Sequence, residues 1–290
     1  MNPMIEHQIK LIGDLRQRAI ESIIETVSKL KAGVTTEQDA LNSLIESLHS
    51  RGIGDYWYPA GEESGAQQFG CIVVFDTSRY NNRTSFPNAR TLTVSKNIRW
   101  EGIGYFYVSP QQISDRGEVL WGDIGSSVYT GDSQVIRSYF RKCWEMSECI
   151  LHDLDNFKHL TTNKVYQIYD KYSKTFGVKN IAVSKSGLKP GTSGENIGHS
   201  FPIGATANQS QDLANVKISL AKKRKFIDGQ SEYSLNDEIW SLEPRDHPDG
   251  YPYGAISFHR LFAQSEEKKI LFPDCTKIFK TVGMHWILDI

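Results

Sequence analysis

The chain of 290 residues contains no long uninterrupted apolar run, no paired cysteines and no excess of charge of either sign. Each absence removes a class of protein. A membrane-spanning helix needs about 18 or more consecutive apolar residues, and no segment supplies them. The opening MNPMIEHQIKLIGDLRQR has no apolar stretch of the kind that marks a secretion signal. The four cysteines, Cys71, Cys143, Cys149 and Cys275, form no CxxC pair and no zinc-finger spacing. They are expected to be reduced thiols of a cytoplasmic protein. A net charge of −1 gives no global field to attract nucleic acid or an anionic membrane. The run Lys222-Lys223-Arg224-Lys225 is read as a solvated strand edge or loop.

What is present suits an ordinary globular core. A helix is expected over Ile5–Lys31, with Ile9, Ile12, Leu15, Ile20, Ile23, Ile24 and Val27 as its apolar stripe and Gly33 as its stop. Thr35 or Thr36 then caps a second helix bearing Leu41, Leu44, Ile45 and Leu48, which ends at Gly52. The pattern returns later. A helical segment Tyr139–His159 is followed by Leu160-Thr161-Thr162, another amphipathic helix and a Gly177-Val178 exit. Helix, helix, strands therefore occurs twice, as in a weak internal duplication. Strands are expected at Cys71–Phe75, Gly104–Val108, Glu118–Ile124, Asp132–Ile136, Asn215–Leu220, Ile239–Glu243 and Ile256–Ala263. Ser184–Ser200 and Ala205–Ala214 read as loops. With no distinct linker, residues 1–290 are expected to form a single catalytic domain.

Several polar residues sit where burial makes them informative. Asp123 ends the apolar run Val119-Leu120-Trp121, where a carboxylate is costly unless paired or bound to a cation. Asp132 follows nine residues later, after Gly- and Ser-rich sequence suited to a hairpin. His199 lies in Gly198-His199-Ser200-Phe201-Pro202, and a neutral imidazole suits zinc, iron, manganese or cobalt. Glu243 closes the strand Ile239-Trp240-Ser241-Leu242 and again asks for a positive partner. The competing reading makes Asp132 a turn residue, pairs Asp123 with a buried arginine, and places Glu243 at the end of an exposed edge strand.

The contexts GEVLWGDIG, TGDSQVIR, GENIGHSFP and LNDEIWSLEPR together resemble, in order, motifs of the methionine aminopeptidase, aminopeptidase P and creatinase family. The resemblance implies an α+β pita-bread fold: a curved antiparallel sheet, outer helices and a pseudo-two-fold duplication. It implies a metal site formed by Asp123, Asp132, His199, Glu243 and a fifth ligand, with one or two divalent ions (Fe, Mn, Co or Zn). The family's fifth ligand is a glutamate that bridges both metals. In Gly254-Ala255-Ile256-Ser257-Phe258-His259-Arg260 a gapless match puts Phe258 there, and a one-residue slip puts His259 there. His259 is preferred because phenylalanine cannot ligate, although an imidazole cannot bridge as a carboxylate does.

Two further departures concern accessory histidines. The family carries one upstream of the first aspartate, whereas the comparable Ser85–Arg90 has none. It carries another shortly after the ligand histidine, where this chain has Gly204-Ala205-Thr206-Ala207. A longer segment including Lys217–Phe226 then follows, as an inserted lid would. The expected function is a divergent metal-dependent hydrolase of a small amide or peptide-like C–N substrate, with Glu243 and His259 as catalytic residues. One alternative is a mononuclear non-haem iron oxygenase or oxidase acting on a small metabolite. Another is a metal-free creatinase-like enzyme or binding protein. Expected partners are a small molecule or short peptide-like substrate, with no nucleic acid and no membrane; a homodimer is left open. The aromatic runs Tyr56-Trp57-Tyr58 and Tyr105-Phe106-Tyr107 are read as strand core more readily than as pocket lining.

Overall fold

The computed structural model describes residues 3–57, 70–75, 95–157, 159–181, 196–201, 206–207, 224–235, 238–264 and 269–271. The expected strand Asn215–Leu220, the stretch Ser85–Arg90 and Cys275 lie outside them. Helix α1 spans Pro3–Ser28 and α2 spans Glu37–Ser50. The apolar stripe of α1 is buried, and it packs against Leu41, Leu44, Ile45 and Leu48 of α2. Thr36 caps α2 through a reciprocal box with Asp39. Helices α3, Gln134–Asp155, and α4, Thr162–Phe176, pack together in the second half. Thr161 caps α4, and Gly177 ends it in the left-handed conformation that glycine adopts without strain. Cys71, Cys143 and Cys149 are free thiols. No helix among the described residues is long and apolar enough to cross a membrane.

Each helix pair is followed by an antiparallel sheet. In the first half, β2 (Cys71–Val74), β3 (Ile103–Val108) and β6 (Ile124–Tyr129) pair in that order. In the second, β8 (Gly198–Phe201), β9 (Ile239–Leu242), β11 (Arg260–Gln264) and β12 (Lys269–Leu271) form a sheet of order β12-β11-β9-β8. The duplicated helix, helix, strands order read from the sequence is therefore present. The two sheets join where β6 meets the segment leading into β11. Ser127 donates its backbone N–H to Ser257 O at 3.0 Å, and His259 donates to Gly125 O at 2.9 Å. A smaller sheet, β1 (Asp55–Tyr56), β4 (Pro110–Ile113) and β5 (Val119–Trp121), flanks this junction.

The structure departs from the sequence reading at three places that bear on the site. Residues 132–136 form no strand. Ser133 caps α3 instead, and Ile136, Phe140 and Cys143 take up the helical stripe. The run Glu118–Ile124 breaks at Gly122-Asp123, so β5 and β6 belong to different sheets. Finally, the glycine-rich sequence around Gly198 is strand, not loop. A Cβ at Gly198 would overlap the Ser241 carbonyl oxygen, so the glycine that disguised β8 is what lets it lie against β9.

Asp246 opens β10 (Asp246–Pro248), which pairs with β7 (Val178–Asn180). It is buried, and its Oδ1 accepts a hydrogen bond from the Tyr169 hydroxyl at 2.7 Å. Burial disfavours the charged form and outweighs that bond, raising its pKa to about 7. Because the folded value lies above the unfolded one, folding favours the protonated acid. This contribution is full below the unfolded value and is lost as pH rises through about 7. Asp246→Asn keeps an acceptor for Tyr169 but cannot ionise. Relative to the variant, the wild-type protein is expected to lose on the order of a few kcal/mol between pH 4 and pH 7.5. Urea unfolding of both proteins across that range checks this, and parallel pH profiles would refute it.

Candidate metal centre

Asp123, His199, Glu243 and His259 come together at the junction of the sheets, with exposures of 1%, 3%, 9% and 5%. Strand alternation explains the convergence. His199 pairs with Ser241, and Arg260 pairs with Leu242. Side chains alternate with period two, so His199, Ser241, Glu243 and His259 share one face of the second sheet. Asp123 reaches that face from the break between β5 and β6. The same alternation puts Phe258 and His259 on opposite faces. Phe258 points the other way and packs edge-on to Trp144 and Phe140 of α3, at centroid distances of 5.5 and 6.4 Å.

The carboxylates and imidazoles alternate in a closed ring. His199 Nε2 lies 3.3 Å from Asp123 Oδ2 and 3.1 Å from Glu243 Oε1. His259 Nδ1 lies 3.5 Å from Asp123 Oδ1, and its Nε2 lies 3.3 Å from Glu243 Oε2. His199 Nδ1 is 3.1 Å from the Ser200 carbonyl. A carbonyl only accepts, so Nδ1 carries the proton and a neutral His199 turns the Nε2 lone pair toward both carboxylates. Three acceptor atoms then face one another, an arrangement that is stable only with a cation or a proton among them. The backbone-anchored imidazole is also the usual support of a metal-ligating histidine.

The charges lead to the same requirement. Burial pushes the Asp123 carboxyl up, but the facing His259 and His199 together hold it well below the usual carboxylate range. An ionised Asp123 buried beside Glu243 asks for compensating positive charge, which a divalent ion would supply. Asp123 Oδ1, His259 Nδ1 and Ser241 Oγ have no hydrogen-bond partner. Ligand atoms of a tetrahedral ion with bonds of about 2.0–2.1 Å sit roughly 3.4 Å apart, close to the 3.3 and 3.1 Å that separate His199 Nε2 from Asp123 Oδ2 and Glu243 Oε1. The residues present thus fit a divalent metal. Among the described residues, Asp123, His199 and Glu243 are placed so that they could hold a metal ion, with His259 beside them.

Asp132 is not part of the cluster. It is exposed in the turn before α3. The expected hairpin does not form. Residues 124–129 run on as strand β6, and at about 3.3 Å per residue they carry the chain roughly 20 Å away from Asp123. With Asp132 elsewhere and an imidazole at the fifth position, the described residues supply ligands for one ion rather than two.

Several residues that complete the site were not picked out from the sequence. Arg16 of α1 is buried and donates to the backbone carbonyls of His259 at 2.8 Å and Asp123 at 3.5 Å. Its signal was a charged residue at a buried-stripe position, four residues from both Ile12 and Ile20. The Tyr105 hydroxyl is 3.1 Å from His259 Nε2, and the Tyr107 ring lies 5.7 Å from the same imidazole. Period-two alternation in Tyr105-Phe106-Tyr107 already placed both tyrosines on one face. Trp57 and Phe201 wall His199, at centroid distances of 6.0 and 4.8 Å. Phe226 of the expected inserted segment also meets His199, at 6.4 Å.

No family model matches the sequence, and no curated protein matches it. Solved structures do match by shape. An X-Pro aminopeptidase from Thermotoga maritima aligns with a TM-score of 0.59 and 14% identity, covering 92% of this chain and 61% of that one. For an Xaa-Pro dipeptidase from Bacillus anthracis the values are 0.55, 16%, 92% and 60%. For a prolidase from Pyrococcus furiosus they are 0.55, 12%, 92% and 63%. The chain spans about three fifths of the length of these structures. It has their pita-bread fold, as the sequence motifs implied.

Gly125 gives the sharpest test of the geometry. A Cβ there would overlap both the Tyr105 hydroxyl and His259 Nε2. Gly125→Ala is expected to weaken metal binding by about 10–100-fold while circular dichroism stays unchanged. In equilibrium dialysis with Zn(II), Asp123→Ala and His199→Ala should also lose metal, whereas Asp132→Ala should retain it. Loss of metal in Asp132→Ala would return that residue to the site.

Proposed function

We propose that this chain is a metal-dependent hydrolase of a small amide or peptide-like C–N substrate, with one divalent ion held by Asp123, His199 and Glu243 and with His259 beside it, free of the ion. The observation that carries the reading is the closed ring of carboxylates and imidazoles, with the lone pair of His199 turned inward by its bond to Ser200. The shared fold of solved structures named as X-Pro aminopeptidase, Xaa-Pro dipeptidase and prolidase supports hydrolysis. Oxygen chemistry at iron gains no support from them. Zinc, manganese, cobalt and iron all accept this ligand set.

When bound, such an ion lowers the pKa of water and polarises a carbonyl. The protein's own groups have separable tasks. Glu243, the least buried of the four, takes the proton of the attacking water at Oε2. His259 Nε2 lies 3.3 Å from that atom and can pass the proton to the departing nitrogen. Tyr105 hydrogen-bonds the same ring nitrogen and fixes its direction. Arg16 holds the Asp123 and His259 main chains in register. Trp57, Phe201 and Phe226 exclude water from the His199 side, which strengthens each of these interactions.

The test is metal content per chain by elemental analysis, after anaerobic purification and reconstitution with Zn(II), Mn(II), Co(II) or Fe(II), followed by hydrolysis assays on a panel of small amides and dipeptides. One ion per chain and metal-dependent amide cleavage are expected. In Tyr105→Phe, kcat should fall about tenfold or more with metal content intact. Absence of bound metal would defeat the proposal. Two ions per chain would point to a second ligand set, and oxygen consumption without hydrolysis would replace the reaction.

A further inference from the structure

Beside the metal cluster, the β1-β4-β5 sheet buries hydrogen-bonding groups with nothing to bond. Gln111 and Trp121 are directly opposed across β4 and β5, and each is 2% exposed. Gln111 Oε1, Gln111 Nε2 and Trp121 Nε1 all lack a hydrogen-bond partner. Buried polar atoms are ordinarily satisfied, so three orphans on one cross-strand pair ask for an explanation. Opposed residues on a ladder point to the same face, with Cβ atoms about 4.5–5.5 Å apart. On β1, Asp55 pairs with Gln111 on that same face and is exposed, so the row runs from solvent into the interior. At its inner end Trp121 meets Trp57 at 5.8 Å, and Trp57 meets His199 at 6.0 Å. The orphan groups thus stand one tryptophan away from the metal cluster.

We infer that Gln111 and Trp121 form a recognition subsite for a neutral amide group of the ligand. The donor and acceptor pattern selects that chemistry. Gln111 offers one acceptor and an amide donor, and Trp121 offers a donor only. A carboxamide or lactam matches both: its carbonyl accepts from Trp121 Nε1 and Gln111 Nε2, and its N–H donates to Gln111 Oε1. A carboxylate has no proton for Gln111 Oε1 and would also approach the buried Asp123 and Glu243. An ammonium would leave the Trp121 and Gln111 donors without an acceptor. The inference builds on the hydrolase reading of the neighbouring cluster, and the experiment below separates the two.

The probe is the isosteric pair propionamide and propionate, titrated into the full-length zinc-reconstituted protein. The readout is the indole ¹H–¹⁵N cross-peak of Trp121, assigned by its loss in Trp121→Phe. Propionamide is expected to shift the peak saturably, at least about tenfold more tightly than propionate. Gln111→Leu should abolish the shift. It should also leave Tm equal or higher, because no protein hydrogen bond is lost. Three results would overturn the inference. They are no saturable shift, an equal response to propionate, or a sharp fall in Tm for Gln111→Leu. A water cross-relaxation signal at the Trp121 indole that persists at saturating amide would also overturn it, leaving a buried-water site only. Zinc content is read in the same samples. Amide binding without zinc supports the subsite and removes the hydrolase reading, whereas zinc without amide binding removes the subsite alone.

Discussion

Two carboxylates, Asp123 and Glu243, lie buried against two imidazoles where water cannot solvate them. An ionised carboxylate in such a place is tolerable only with compensating positive charge. The backbone fixes the tautomer of one of the two imidazoles. By donating Nδ1–H to the Ser200 carbonyl, a neutral His199 presents a lone pair to both acids. The centre is therefore stable with a divalent cation, or with protons on both rings, and unstable otherwise. Much of the surrounding architecture serves to hold this arrangement against its own repulsion.

That support comes from parts of the chain far apart in sequence. Arg16 of the first helix ties the main chains of Asp123 and His259 together. Gly125 leaves the space that the Tyr105 hydroxyl and the His259 ring occupy. Gly198 lets β8 approach β9 closely enough to bring His199 into the ring. These are positions where local structural preference yields to the geometry of the centre. The same holds for Asp246, Gln111 and Trp121, buried polar groups that a core built only for stability would have replaced with apolar ones.

Relative to the metal set implied by the family resemblance, the described residues differ at two positions. His259 replaces a bridging carboxylate, and β6 replaces the hairpin that would have returned Asp132 to the site. The two changes are consistent with each other. A second aspartate without a bridge, or a bridge without a second aspartate, would leave uncompensated charge in a dry interior. Among the described residues, the Tyr105 hydroxyl and the Tyr107 ring of β3 line the His259 side.

The helix stripes, the threonine caps, the duplicated order of elements and the identities of Asp123, His199 and Glu243 were all legible in the sequence. Each depends on short-range rules: residue spacing, capping chemistry, and a charged residue set among apolar neighbours. His259 was preferred over Phe258 on chemistry, and the sheet turns His259 toward Asp123 and Glu243 and Phe258 toward α3. The hairpin expected before Asp132 does not form because Gly125-Ser126-Ser127 is as compatible with a strand as with a hairpin, and only its pairing with β3 selects the strand. Arg16, Tyr105 and the Gln111–Trp121 pair gained their roles from contacts across 107, 154 and 10 residues of chain respectively. The sequence by itself determined which side chains are costly to bury and so demand partners. Tertiary structure alone decided which partners they meet, because long-range strand register sets those distances and no local preference encodes it.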